Sequence, residues 1–408
     1  MGTKRRLLMI SLDAVSSDDL ELLQKMPNFS ALCKRGTLVR DVDSVFISNT
    51  YPAHTSIITG MPPGKHGVCD NVYFIPGQRP QKWRVDSKEI KVPTLYQKAK
   101  QAGKTIGSIL YPVTGNADID WNFPEIAEKM GLFRRLSAML RYGSPRFLIP
   151  MLTRFGKQFH GIGEPGLDDF TTTVAVDALI RHKPDLFLLH LIDTDSQKHD
   201  FGPDSAQAKE SLARHDERIG RLLDVLRTAG TDEETALIVF SDHGCLPVHT
   251  TVEPNDFLAE KGFYQLDNGT LLDFDAEFHS AGGTAFLRIY NTAKRESVKK
   301  AFDEFLEKPY VSRLLTDAEM KTSGMADFFD YGVSAAQGYS FGSSHLGQHG
   351  YTLDREGYHP FYLASGSGIP QDQALTGGSI LDICPLAADM LGLPGWEMDG
   401  VNRIGGQR

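Results

Sequence analysis

Three short apolar runs each stop at a carboxylate. Leu7-Leu8-Met9-Ile10-Ser11-Leu12 runs into Asp13, Pro184 to Leu191 leads to Asp193-Thr194-Asp195, and Thr235 to Phe240 ends at Ser241-Asp242-His243. Apolar runs without alternation predict strands covered on both faces, as in a parallel sheet. Amphipathic helices are predicted over 93–102 and 205–229, and further helices over 168–181 and 294–306, with helical regions over 20–35 and 379–391. Further strands are predicted over 37–45, 105–111, 286–290 and 358–365. This rhythm predicts an α/β fold, with a mainly parallel central sheet flanked by helices on both faces. Ligands of such sheets gather beyond the carboxyl ends of the strands, so Asp13, Asp195, Asp242 and His243 become candidates for one crevice. His199, four residues after Asp195, could share a divalent ion with it if that loop coils.

The stretch Phe46–Asn71, FISNTYPAHTSIITGMPPGKHGVCDN, supplies a different feature. Pro52 suits a first helical turn, and a short helix over 53–59 is predicted to end at Gly60. Thr50 would then precede a helix start, where free N–H groups and the dipole favour an anion. Its hydroxyl could be a nucleophile toward a bound phosphoryl group, or an ordinary N-cap.

Composition narrows these readings. The 408 residues exceed a minimal domain, and a net charge of −9 argues against a nucleic-acid polymer as partner. An acidic protein acting on an anion needs local positive charge, which metal ions can provide. No apolar stretch reaches the length of a membrane span. Four scattered cysteines (Cys33, Cys69, Cys245 and Cys384) and no signal peptide predict reduced thiols and a cytoplasmic location.

Two stretches depart from the rhythm. Residues 129–163 hold no acid, yet Lys129, Arg134, Arg135, Arg141, Arg146, Arg154 and Lys157 stand among Leu, Phe and Met. Such a segment is either an insertion whose basic side chains lie over its own apolar body, or a cap for an anionic or lipid-like substrate. The expected organisation is one catalytic domain over 1–408, with insertions at 115–165 and 253–340, the second a small α+β lobe. A Gly-rich loop over 343–351 carries His345 and His349.

Asp13, the Thr50-Tyr51-Pro52-Ala53-His54 stretch with Thr59-Gly60, His66-Gly67 and Asn71, the Asp195 to His199 segment with Gly202-Pro203, Ser241-Asp242-His243-Gly244, and Gly347-Gln348-His349-Gly350-Tyr351 stand in a specific order. In that order the chain resembles the alkaline phosphatase superfamily, and within it the nucleotide pyrophosphatase/phosphodiesterase branch. The resemblance implies two divalent ions, most simply zinc, with manganese or iron accepted by the same ligands. One would be held by Asp195, His199 and His349, the other by Asp13, Asp242, His243 and the Thr50 oxygen. It further implies that Thr50 attacks phosphorus to form a phosphothreonine, which water then hydrolyses. Asn71 would donate to a phosphoryl oxygen, and Tyr51 would stack on the leaving group or pack in the core.

The implied substrate is a small phosphodiester or a nucleotide. Ala53 and Cys245 stand where the family often carries Asn and Met, and His54, His66 and His345 are expected to support the ligands. A sulfatase is disfavoured by the Thr-x-Pro-x-His pattern. A phosphomonoesterase, a phosphonate hydrolase or a phosphomutase would share the scaffold, and a non-catalytic metal or anion binder is the reading outside enzymes. A homo-oligomer is possible from sequence.

Overall fold

The computed structural model describes residues 5–78, 80–267 and 270–404; the charged start of the chain, up to Lys4, lies outside them. The strands β1 (Arg6–Leu12), β2 (Gly36–Arg40), β3 (Ile106–Ile109), β4 (Trp121–Phe123), β5 (Leu186–Leu191), β6 (Thr235–Phe240), β7 (Tyr362–Ser365) and β8 (Gln373–Thr376) form one sheet. Their spatial order is β8-β2-β7-β6-β1-β5-β3-β4. All pairings are parallel except those of β7, which runs antiparallel to both β2 and β6. The expected mainly parallel sheet is therefore present.

β1 is buried along its whole length because helices cover both faces. Leu8, Ile10 and Leu12 point into one hydrophobic cluster, while Leu7 and Met9 point into the other. The alternation is the two-residue period of a strand, here apolar on both sides. β1 lies between β5 and β6, with Leu12 level with Leu191 and Ser11 level with Phe240. Three adjacent parallel strands thus end side by side.

The elements that carry chemistry are α1 (Thr50–Thr59), the cap helices α2 (Leu132–Tyr142) and α3 (Pro145–Phe155), then α4 (Gly166–His182), α5 (Asp193–Phe201) and α6 (Ala206–Ala229). Several sequence expectations shift. The helical region over 20–35 is two helices, Leu20–Leu23 and Pro27–Lys34, because Pro27 lacks the N–H needed to continue the first and opens the second. Gly36 does not close that region but begins β2, where a Cβ would lie 2.0 Å from the Ala364 carbonyl oxygen of the neighbouring strand. β2 ends at Arg40 rather than Val45. The Asp195 loop is helical, which places Asp195 and His199 on one face of α5.

The segment around 253–340 holds a separate antiparallel sheet of Ala276–Ser280, Thr284–Ile289, Tyr331–Ala335 and Val311–Leu314, in that spatial order. The helix Arg295–Leu306 covers it through Val298, Phe302 and Phe305. α2 and α3 add Met139, Phe147, Leu148 and Met151 to the cluster on one face of the main sheet, so the basic insertion is packed and not a free arm. Among the described residues no helix is long and apolar enough to cross a membrane.

Candidate active site

α1 is buried along its whole length and ends at Gly60, whose φ of 68° is the left-handed conformation glycine adopts without strain. Thr50 is the first residue of this helix, one position further in than expected, and the N-cap position falls to Asn49. The Asn49 side chain makes no capping bond; it spans Asp70 and His349 instead. Neither the N-cap role expected as the alternative for Thr50 nor its usual geometry is present. The Thr50 Oγ1 lies 3.3 Å from His243 Nε2.

Beside that hydroxyl the strand ends assemble two groups, Asp195 with His199 and His349, and Asp13 with Asp242 and His243. In each group one ligand atom from every residue lies within 4.8 Å of the others. Asp195 Oδ1 is 3.3 Å from His199 Nε2 and 3.9 Å from His349 Nε2. His243 Nε2 is 3.5 Å from Asp13 Oδ1 and 3.2 Å from Asp242 Oδ2. The groups adjoin, since the His243 and His349 rings stack with centroids 4.2 Å apart.

The donor set fits divalent cations. One oxygen of each carboxylate (Asp13 Oδ1, Asp195 Oδ1 and Asp242 Oδ2) is buried without a hydrogen-bond partner, and all three face these groups. An orphaned buried carboxylate oxygen is costly unless a cation meets it. Charge already strains the site. Burial, followed by the charges of Asp242 and Asp195, raises Asp13 well above the carboxylate range. Burial pushes Asp242 up too, but His243 and His54 outweigh it and hold it low. Burial and then His243 depress His349, leaving its ring neutral and able to ligate. Nitrogen and oxygen donors without thiolate suit divalent cations in general.

Asn71 accepts the Tyr51 backbone N–H through Oδ1 at 2.8 Å, which leaves its amide N–H groups for a ligand. Tyr51 is only 1% exposed and packs edge-on against Trp83 at 5.3 Å. This placement fits the core-packing alternative expected for Tyr51. His54 bridges the Thr50 carbonyl and the Ser11 hydroxyl at 2.8 Å each, and His66 meets the Ser56 hydroxyl at 2.9 Å. His345 lies against the His199 ring with centroids 4.5 Å apart.

Sequence reasoning missed several residues around this centre. His190, the one polar side chain inside β5 (LFLLHL), places Nε2 3.0 Å from Asp13 Oδ2 and Nδ1 3.2 Å from the Leu110 carbonyl. A lone histidine in an otherwise apolar buried strand was the available signal. Glu125 lies behind it, 3.8 Å from His190 Nδ1, and burial together with the charges of Asp195 and Asp242 pushes it up to about 8. The buried Lys198 amine donates to the Ala14 carbonyl and the Asp19 carboxylate at 2.9 and 2.6 Å, tying α5 to the end of β1.

A third acidic group, Glu164, Asp168 and Asp193, has another explanation. Arg214 clamps Asp193 with bonds of 2.6 and 2.8 Å, and Arg218 donates to Asp193 and Asp169 at 2.8 Å each. Guanidinium groups already neutralise it, and it anchors the start of α5 to α4 and α6.

Next to the centre is a cavity of about 260 Å3 under the basic insertion, lined by Trp83, Leu110, Phe123, Glu125, Leu136 and Met139 among others. Arg135 turns inward to the carbonyls of Ile126 and Glu128, and Arg154 pairs with Asp177 at 2.8 Å. Arg134 is exposed. Of the basic residues predicted to greet a substrate, Arg135 is thus spent inside the protein, while Arg154 is held in an ion pair at the surface.

Comparison with known proteins supplies the family. Residues 7–325 match the model of the type I phosphodiesterase/nucleotide pyrophosphatase family. Human ectonucleotide pyrophosphatase/phosphodiesterase family member 5 is 23% identical over 97% of this chain and 76% of its own. Human bis(5'-adenosyl)-triphosphatase ENPP4 is 24% identical over 95% of this chain and 78% of its own. Human family member 1 is 28% identical over 58% of this chain, but the match spans only 23% of that longer protein. The solved structure of murine family member 5 superposes with a TM-score of 0.70 at 22% identity and covers 97% of each chain. Another structure of the murine protein is an inactive threonine-to-alanine variant in complex with AMP, with a TM-score of 0.69.

Proposed function

Because the chain belongs to the type I phosphodiesterase/nucleotide pyrophosphatase family of the alkaline phosphatase superfamily, we propose that it is a metal-dependent hydrolase of small phosphodiesters or nucleotide pyrophosphate bonds. The carrying observation is that two three-residue ligand groups adjoin through the stacked His243 and His349 rings, and that one of them meets the Thr50 hydroxyl through His243. Asp195, His199 and His349 would hold one cation, and Asp13, Asp242, His243 and the Thr50 oxygen the other, most simply both zinc. Bound there, two cations supply Lewis-acid charge that lowers the pKa of a hydroxyl and offsets charge on a phosphoryl group.

The chain's own groups do the rest. Thr50, fixed at the first turn of a fully buried helix, attacks phosphorus in line with the departing oxygen and becomes a phosphothreonine. Asn71, held by the Tyr51 N–H, donates its amide to a non-bridging oxygen, a contact of the kind worth about 3 kcal/mol in the transition state. Water then attacks the phosphothreonine and releases Thr50. A relative named as a bis(5'-adenosyl)-triphosphatase, and one structure pairing AMP with a threonine-to-alanine variant described as inactive, support a nucleotide-type substrate and threonine chemistry.

The test is Thr50→Ala on the metal-loaded protein, assayed with bis-p-nitrophenyl phosphate and with p-nitrophenyl phosphate. The diester is preferred by the parent protein, and the variant loses turnover while keeping its metal. Full activity in the variant contradicts the nucleophile, and a strong preference for the monoester contradicts the diesterase reading.

The cavity under the cap favours an apolar substituent on one ester oxygen. Its walls are aliphatic and aromatic, and the Arg135 guanidinium within them is already bonded to carbonyls, so few polar groups remain to read a base edge.

A further inference from the structure

We propose that Asp70 is a positioning residue that fixes the ring tautomer of His349 and ties that histidine, together with Asn71, to the inserted lobe. The inference rests on the metal-site reading above but concerns residues that reading leaves without a role.

The chain of contacts begins in the lobe. His279, on the strand Ala276–Ser280, places Nε2 2.6 Å from Asp70 Oδ2. Its ring is seated by Phe74 at 4.7 Å and Phe329 at 5.8 Å. The other Asp70 oxygen, Oδ1, accepts from Asn49 Nδ2 at 2.7 Å and from the Asn71 backbone N–H at 2.7 Å. Asn49 Oδ1 in turn lies 2.8 Å from His349 Nδ1. Asn49, Asp70 and His349 are all buried, so water does not compete for these bonds.

Donor and acceptor rules give this chain a direction. Asp70 Oδ1 already accepts from the Asn71 N–H, so the Asn49 end facing it is the amide nitrogen. The Asn49 end facing His349 is therefore the oxygen, which only accepts. His349 Nδ1 must then carry the proton. A neutral imidazole with its proton on Nδ1 has its lone pair on Nε2, the atom facing Asp195. Nothing in His349 itself makes this choice; Asp70 makes it through Asn49.

Asp70 also holds the backbone of Asn71, whose Oδ1 is occupied by the Tyr51 N–H. One carboxylate thereby orients a metal ligand on one side and an oxyanion donor on the other. Support of this kind is commonly worth about 10–100-fold in metal affinity.

The experiment reads the metal-binding side without substrate. Long-range 1H–15N spectra of the zinc-loaded protein, with His349 assigned by comparison with His349→Gln, should show the proton on Nδ1 and ligation through Nε2. A proton on Nε2 overturns the proposal in the parent protein, with no variant needed. Chelator competition for zinc then compares Asp70→Ala with Asp70→Asn. Asp70→Ala should weaken one zinc site about 10–100-fold, because Asn49 is free to flip. Asp70→Asn keeps an oxygen for Asn49 and Asn71, so it should stay within a fewfold of the parent protein. Parent-like zinc affinity in Asp70→Ala with only a lowered Tm reduces Asp70 to a structural residue, and an equal loss in both variants refutes the acceptor argument. Failure of Thr50→Ala to affect turnover would leave these readouts untouched, so the two readings fail separately.

Discussion

At the scale of single residues, the members of the two acid–histidine groups were legible and the residues that hold them were not. Asp13, Asp195, Asp242 and His243 stand at ends of apolar runs, where a sheet must expose them, and that position can be read from the pattern alone. His190, Glu125 and the Asn49–Asp70–His279 chain depend on contacts between distant segments, such as the 209 positions separating Asp70 from His279. No local period announces them. Glu125 offers a pH test. Its folded-state value of about 8 lies above the ordinary glutamate value, chiefly through burial and then through the charges of Asp195 and Asp242. The folded protein therefore holds a proton that the unfolded chain has released between pH about 4.5 and about 8, and stability falls as pH rises through that window. In EDTA-treated protein, Glu125→Gln should shrink the loss of unfolding free energy between pH 6 and pH 9 by on the order of 1–3 kcal/mol. Urea titrations at the two pH values measure it, and an unchanged difference would place the Glu125 carboxyl in ordinary solvent.

At the scale of elements, the strands were read well and their connections less so. β6 lies where its apolar run predicts it. The Asp195 loop proved to be α5, because Asp193 and Asp195 in its first turn complement the helix dipole and the Arg214 and Arg218 clamp fixes its start. Tertiary ion pairs of that kind are invisible in a local window. The same clamp carries a prediction. Arg218 is 2% exposed and faces Asp168, Asp169 and Asp193. Arg218→Met should destabilise the fold by about 3–5 kcal/mol, since it leaves the buried Asp168 without a guanidinium and Asp193 with Arg214 alone. The loss would show as a lower urea midpoint at pH 7, and recovery at pH 5 is expected as the carboxylates protonate. A midpoint unchanged at pH 7 would mean that Arg214 alone satisfies the cluster.

At the scale of the whole molecule, an acidic chain of net charge −9 gathers two acid–histidine groups beyond the ends of three neighbouring strands, where on the proposed function cations would offset the charge of an anionic substrate. The mainly parallel sheet was anticipated from sequence, and the basic insertion and the 253–340 segment were marked as departures from its rhythm. Their closure around the site was not anticipated, because the cavity arises where α2 packs over Leu110, Phe123 and Trp83. Filling it should separate substrates: Leu136→Trp should raise KM for a long-chain alkyl p-nitrophenyl phosphodiester by about tenfold. KM for bis-p-nitrophenyl phosphate should stay the same, and equal effects on both would remove the cavity from substrate binding. The account as a whole stands on a metal pair at Thr50. Anomalous diffraction at the zinc edge, from crystals of the zinc-loaded protein, measures that pair directly. The account predicts two peaks about 4 Å apart, one among Asp195, His199 and His349 and the other among Asp13, Asp242, His243 and the Thr50 oxygen; a single peak, or peaks away from these seven side chains, would contradict it.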